Sequence, residues 1–278
     1  MLRDMVALRP PYDHVIVPLD NSPQARRALS EGKLLADALG ATLHLLHAES
    51  HWDRRDEGMH GDVQRLSNQF GALATVRTKG VEDRKPEEVV AAFATELGNA
   101  VVCMATHGKS GLAGKIFGST TAALLREFGR PVIVQGPAAT PHPVAISRVV
   151  AALDGTAFSD QILSEAASWA HDLGVPLWLV EVLDPSAAVR AGATESGTLQ
   201  ADARRLADCG VLLEWETLHG KHVGPTLLDY VNSVPGTLTA LATHGRTGIA
   251  ALLVGSVAEH LVHHCQGPMA LQRPAAVG

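Results

Sequence analysis

Met104-Ala105-Thr106-His107-Gly108-Lys109-Ser110-Gly111-Leu112, running on into Phe117-Gly118-Ser119, decides how this chain is read. A near copy, Leu241-Ala242-Thr243-His244-Gly245-Arg246-Thr247-Gly248-Ile249, leads into Val254-Gly255-Ser256. An apolar run precedes each stretch, at residues 100–104 and 238–241, and reads as a buried strand. A helix-like segment follows each and ends before Arg130-Pro131 or Gly267-Pro268. A glycine-bearing loop between strand and helix has two physical uses. It is a tight turn whose glycines relieve strain, or it is an anion cradle, because glycine admits close backbone approach and a helix N-terminus offers free amides. Two copies with the same spacing favour a specialised loop, although duplication copies turns equally well.

Outward from these stretches, strands and helices alternate. Residues 14–19 form an apolar strand ending at Asp20, and Asn21-Ser22-Pro23 then supplies a polar cap and a first-turn proline for a helix over 25–39 that stops at Gly40. Further strands are expected at 41–48, 73–78 and 131–135, with helices ending at 70, over 86–97 and over 118–128. The stretch 136–143, Gly-Pro-Ala-Ala-Thr-Pro-His-Pro, fits neither a helix nor a central strand and reads as a linker. The same grammar then restarts. Strands are expected at 148–153, 175–183, 211–217, 237–241 and 269–272, with helices at 157–174, 195–209, 223–234 and 255–264. Gly108, Gly118, Ser119 and Pro131 recur at one constant offset as Gly245, Gly255, Ser256 and Pro268, and Asp20 recurs as Asp154. Alternating strands and helices mean crossover units and parallel sheets covered on both faces. The expected fold is therefore α/β: two tandem five-stranded, Rossmann-like parallel-sheet domains, residues 1–140 and 141–278. Each half ends in a strand that would lie at a sheet edge, and exposed edges are paired or covered. The two last strands are expected to pair within the chain as a pseudo-twofold dimer, with the glycine loops in separate crevices. A homodimer of the whole chain is compatible with the sequence but not required by it.

Composition narrows the function classes. Of the 278 residues 46% are hydrophobic and only 4% aromatic, so the cores are packed by Ala, Val and Leu. A net charge of −6 and a pI near 6.1 argue against nucleic acid and anionic membranes as partners. No apolar run approaches the roughly 20 residues of a membrane span, and residues 1–9 lack a signal-peptide core. Cys103, Cys209 and Cys265 are scattered and form no C-x-x-C, which fits a reducing cytoplasm.

With these features together, both halves resemble universal stress protein domains, over about residues 12–135 and 147–273. The strand ending in Asp, the T-H-G-[KR]-[ST]-G segment and the Gly-Ser pair opening the last helix carry the resemblance. Nucleotide-binding members of the family carry Gly, two residues, Gly, nine residues, then Gly-Ser or Gly-Thr. Here the last two glycines are kept in both halves, and the first is replaced by Ala105 and Ala242. The resemblance implies binding of ATP, with Mg²⁺ as its companion ion. In the first half Pro18 and Asp20 would lie on the adenine and ribose side, Ala48 would line the base pocket, and Met104 and Ala105 would flank base and ribose. Gly108, Gly118, Ser119, Thr120 and Thr121 would hold phosphates. The matching second-half positions are Asp154, Val182, Leu241, Ala242, Gly245, Gly255, Ser256, Val257 and Ala258. With three hydroxyls at its helix start, the first half is expected to be the better site.

Several residues have plainer alternatives. Asp20 and Asp154 are equally good helix-start aspartates. Lys109 and Arg246 fit solvated loop cations, and His107 and His244 fit loop-fixing histidines, since no Ser or Asp partner for general-base work is evident. His260, His263, His264 and Cys265 have zinc-compatible spacing, but the first half has no counterpart, and a polar helix face is the simpler reading. The sequence thus points to a stress-response protein that binds adenine nucleotide and acts through its liganded conformation or protein partners. The alternative is a nucleotide-independent interaction module with degenerate sites. An enzyme, at most a weak ATPase, lacks a committed pair of catalytic residues.

Overall fold

The computed structural model describes residues 6–20, 22–49, 57–78, 85–106, 117–184, 197–243 and 254–274. The first half contains β1 (His14–Pro18), α1 (Pro23–Leu39), β2 (Thr42–Glu49), α2 (Glu57–Phe70), β3 (Leu73–Thr78), α3 (Pro86–Leu97), β4 (Ala100–Ala105), α4 (Ser119–Glu127) and β5 (Val132–Gln135). The second contains β6 (Arg148–Leu153), α5 (Leu163–Leu173), β7 (Leu177–Leu183), α6 (Gly197–Leu206), β8 (Leu213–His219), α7 (Val223–Asn232), β9 (Thr237–Ala242), α8 (Ser256–His264) and β10 (Met269–Gln272). The ten strands make one continuous sheet in the order β3-β2-β1-β4-β5-β10-β9-β6-β7-β8. Every neighbouring pair is parallel except β5 and β10, which run antiparallel with Ile133 opposite Ala270. This is the predicted pairing of the two last strands. Because that pair is antiparallel, the carboxyl ends of the two parallel sets point to opposite edges of the sheet.

Side-chain alternation along the strands splits the core into two layers. On one face Val15, Val17, Val101, Cys103, Ile133, Val149, Ala151, Leu177 and Leu179 pack under α1, α2, α5 and α6. On the other Ile16, Val102, Met104, Val132, Val134, Val150, Val180 and Leu271 pack under α3, α4, α7 and α8. Both layers run across the join, so the two halves share a continuous core. Close approach at the join depends on Gly136, where a Cβ would lie 1.9 Å from the carbonyl oxygen of Val262 on α8.

Local signals explain the starts and stops. Ser22 Oγ accepts from the Ala25 N–H at 3.1 Å, Pro23 opens α1, and Gly40 closes it at φ 64°. The helix expected over 157–174 is corrected: residues Ser159–Ile162 are a 3-10 turn, and the α-helix starts only at Leu163. The cause is local. Asp154 Oδ1 accepts from both the N–H and the hydroxyl of Thr156, and Ser159 Oγ donates back to the Thr156 carbonyl, which tightens the entry.

A strap of residues 6–13 ahead of β1 crosses onto the second half, a contact not expected from the sequence. The Arg9 N–H donates to Ser168 Oγ at 2.9 Å, and its guanidinium pairs with Glu165 at 3.0 Å and Asp172 at 2.7 Å, all on α5. The same guanidinium lies 3.7 Å from the centre of the Tyr12 ring, which packs on Trp169 at 5.4 Å. Tyr12 Oη donates to the other Glu165 oxygen at 3.1 Å. Burial pushes the Glu165 carboxyl above its ordinary range, with Arg9 pulling the other way.

Candidate functional site

Each half builds the same frame at the carboxyl ends of its central strands. In the first, the Thr106 N–H donates to the Gln135 carbonyl at 2.9 Å, and the Thr106 carbonyl accepts from the Gly118 N–H at 2.7 Å. In the second, Thr243 repeats both bonds with Gln272 at 2.8 Å and Gly255 at 2.6 Å. The two ends of each glycine loop are thereby stitched to each other, and the first end to the last strand. The loops themselves, with His107, Gly108, Lys109, His244, Gly245 and Arg246, lie outside the described residues.

Gly118 and Gly255 are the N-caps of α4 and α8, at φ −63° and −73°, where any residue is allowed. Their use is therefore not a left-handed turn. Neither helix start receives a side-chain cap, in contrast to α1, so first-turn amides remain for another acceptor. Ala105 and Ala242, which replace the expected first glycine, are the last residues of β4 and β9. Extended backbone suits alanine as well as glycine, so this replacement costs no conformational strain.

In the second half these elements enclose a cleft of about 250 Å³. Ala152, Val180, Val182 and Leu241 from the sheet form its apolar floor, and Leu227 of α7 and Ala258 of α8 form its walls. Asp154, Ser159, Thr243 and Ser256 supply polar groups at the rim. Of the second-half positions expected from sequence, Asp154, Val182, Leu241, Ala242, Gly255, Ser256, Val257 and Ala258 all line this one cleft. Sequence reasoning missed Leu153, Ser159, Val180, Val223, Leu227 and Thr243. The spacing of Val223 and Leu227, one turn apart on α7, was the available signal.

Asp154 also holds its own turn through Thr156, and Asp20 does the same in the first half by accepting from the Ser22 N–H at 3.0 Å. Behind Asp154 the site is acidic. Burial and the charges of Asp202 and Asp154 push the Asp160 carboxyl up, against the pull of Arg205, which sits 2.9 Å from Asp202 and 3.5 Å from Asp160.

In the first half Met104, near the end of β4, is buried, Ser119 is exposed, and Thr120 is half-buried. The Thr121 hydroxyl is buried and donates to the Ala105 carbonyl at 3.1 Å, tying α4 to the end of β4. Pro18 and Asp20 are half-buried at the end of β1, and Ala48 lies in β2. On α8 the His260 and His264 rings are 4.8 Å apart, while Cys265 is buried in the core. Among the described residues no three His, Cys, Asp or Glu side chains converge as a metal site.

The sequence model of the universal stress protein family matches residues 11–135 and again 145–273. The chain belongs to the universal stress protein family. As a tandem universal stress protein, it is 25% identical over 183 residues to curated members from Mycobacterium bovis and Mycobacterium tuberculosis. That match covers 62% of this chain and 61% of each relative's length. Its fold is similar to a universal stress protein of Archaeoglobus fulgidus at TM-score 0.70, with 16% identity over 95% of this chain and 99% of that one. A Pseudomonas aeruginosa structure described as a putative universal stress protein gives TM-score 0.62 and 19% identity, covering 95% and 94%. Among the described residues no helix is long and apolar enough to cross a membrane.

Proposed function

We propose that this universal stress protein binds adenine nucleotide, ATP with Mg²⁺, at the carboxyl ends of its parallel strands, and acts as a cytoplasmic regulatory module through that liganded state and its protein partners. The observation that carries the reading is the convergence of eight expected second-half positions on one cleft. Its apolar floor suits a base, Asp154 at the rim suits ribose hydroxyls, and the uncapped start of α8 suits a phosphate. The cleft volume falls just below the roughly 300 Å³ at which small-molecule sites begin, so it takes base and ribose while phosphates extend over the helix start. The first half has the corresponding frame with Ser119 and Thr120 at its helix start. Each half, residues 1–140 and 141–278, then carries one site, and the sites open toward opposite edges of the sheet.

Calorimetric titration of the full chain and of Ala242→Trp with ATP and Mg²⁺ tests the second-half site. Filling the cleft should remove the heat assigned to that half and leave the first. An isotherm identical to wild type rejects the second cleft. Absence of heat in both proteins favours the nucleotide-independent interaction module instead.

A further inference from the structure

Glu31 on α1 is 1% exposed, and Gln135, the last residue of β5, is 4% exposed. Gln135 Nε2 donates to Glu31 Oε2 at 2.8 Å. The remaining oxygens of the pair, Glu31 Oε1 and Gln135 Oε1, are both buried, and neither has a donor among the described residues. Two orphaned acceptors in one hydrogen-bonded pair are costly, and a single proton shared between them removes both deficits. We propose that Glu31 is held as a neutral carboxylic acid whose proton is donated to Gln135 Oε1, so that the α1–β5 contact is a latch that opens when the proton leaves. A carboxylic acid facing a primary amide completes two hydrogen bonds in one ring. A carboxylate completes one and leaves a desolvated charge.

Among the described residues the surroundings offer no counter-charge. On β4 the Cys103 thiol faces the same interior, and burial together with a charge on Glu31 pushes it up, so it stays protonated. His142 of the linker lies in the wall of a cavity of about 120 Å³ that also includes Glu31. On α1 itself Arg27 is exposed, and Lys33 is paired with Asp37. On α5, which packs against α1, the buried Glu165 is engaged by Arg9. Burial accordingly pushes the Glu31 carboxyl up to about 7, with the Gln135 hydrogen bond opposing.

The latch sits at a sensitive place. The Gln135 carbonyl holds the Thr106 N–H, and the Thr106 carbonyl holds the Gly118 N–H, so Glu31 is linked to the base of the first glycine loop. Ionisation draws water in from the neighbouring cavity and leaves the Gln135 side-chain oxygen without its donor, while the Gln135 amide still donates to the carboxylate. Glutamate occupies the same repeat position in the second half, as Glu165, but there Arg9 and Tyr12 engage it. The latch therefore belongs to the first half. It does not depend on nucleotide.

The test is the pH dependence of unfolding of the full chain against Glu31→Gln, whose amide reproduces both hydrogen bonds without a proton to lose. The folded-state pKa lies above the unfolded value of 4.5, so wild-type stability is present below 4.5 and is lost as pH rises toward about 7. Relative to Glu31→Gln, the wild-type folding constant should fall about tenfold per pH unit across that window, about 300-fold in all, and be flat above it. Parallel profiles of the two proteins overturn the latch. Infrared spectra provide a second readout that does not require Glu31→Gln to fold. The carbonyl stretch of a protonated carboxyl should persist in wild type near pH 6 and shift in Gln135→Met, which removes the proton's acceptor. A band that is absent, or unshifted in Gln135→Met, overturns it too.

Discussion

Replacing Arg9 by Ala tests whether the N-terminal strap clamps the two halves together. Arg9 bridges Glu165 and Asp172, whose side chains are 8% and 2% exposed, and it covers the Tyr12 ring. Truncation removes the guanidinium between two buried carboxylates, a loss of about 3–5 kcal/mol for a buried pair broken on one side. With a urea slope of about 2 kcal/mol per molar, the midpoint should fall by about 2 M. The deficit should also depend on pH. Glu165 already has a raised carboxyl pKa with Arg9 present, and removing Arg9 raises it further. A raised folded-state pKa means stability is lost as pH rises above the ordinary carboxylate range, so the gap between variant and wild type should widen from about pH 5 to pH 8. Urea unfolding followed by tryptophan fluorescence at both pH values reads this directly, since Trp169 lies in the clamp. A loss below about 1 kcal/mol at both pH values, the range of an exposed ion pair, would refute the clamp.

Three further outcomes follow from single contacts. Gly136→Ala places a methyl against the Val262 carbonyl and should cost about 1–3 kcal/mol, seen calorimetrically as a Tm drop of about 2–4 °C per kcal/mol. Ser22→Ala removes the α1 cap and should cost about 1 kcal/mol in urea unfolding, whereas Ser22→Gly should cost only a few tenths. Asp154→Asn keeps an oxygen for the Thr156 turn and should hold the wild-type Tm, while Asp154→Ala should lose about 1–2 kcal/mol; equal losses in both would mean the charge, not the turn, sets stability.

Much of the fold was legible because parallel strands covered on both faces read as predominantly apolar runs. Residues 100–104, 148–153 and 238–241 are of this kind, and β4, β6 and β9 stand where expected. The pairing of β5 with β10 was legible from the need to cover two edges. The strap was not, because residues 6–13 have no periodicity and their second-half partners lie more than 150 positions away. Nor was the Glu31–Gln135 pair, since nothing in α1 marks Glu31 as an inward residue until α1 and β5 are placed together. The 3-10 entry to α5 was hidden because Asp154, Thr156 and Ser159 compete with the helix through side-chain bonds that propensity does not weigh. At the site, the strand-end and helix-start positions were legible through the repeat. The α7 wall was not, because no motif runs through Val223 and Leu227.

Equilibrium dialysis of the full chain against labelled ATP with Mg²⁺ tests the central claim most directly. Saturable uptake below about 1 mM, reduced when Ala242→Trp fills the second cleft, is the predicted result. No uptake by the wild-type chain at about 1 mM ATP with Mg²⁺ would contradict it.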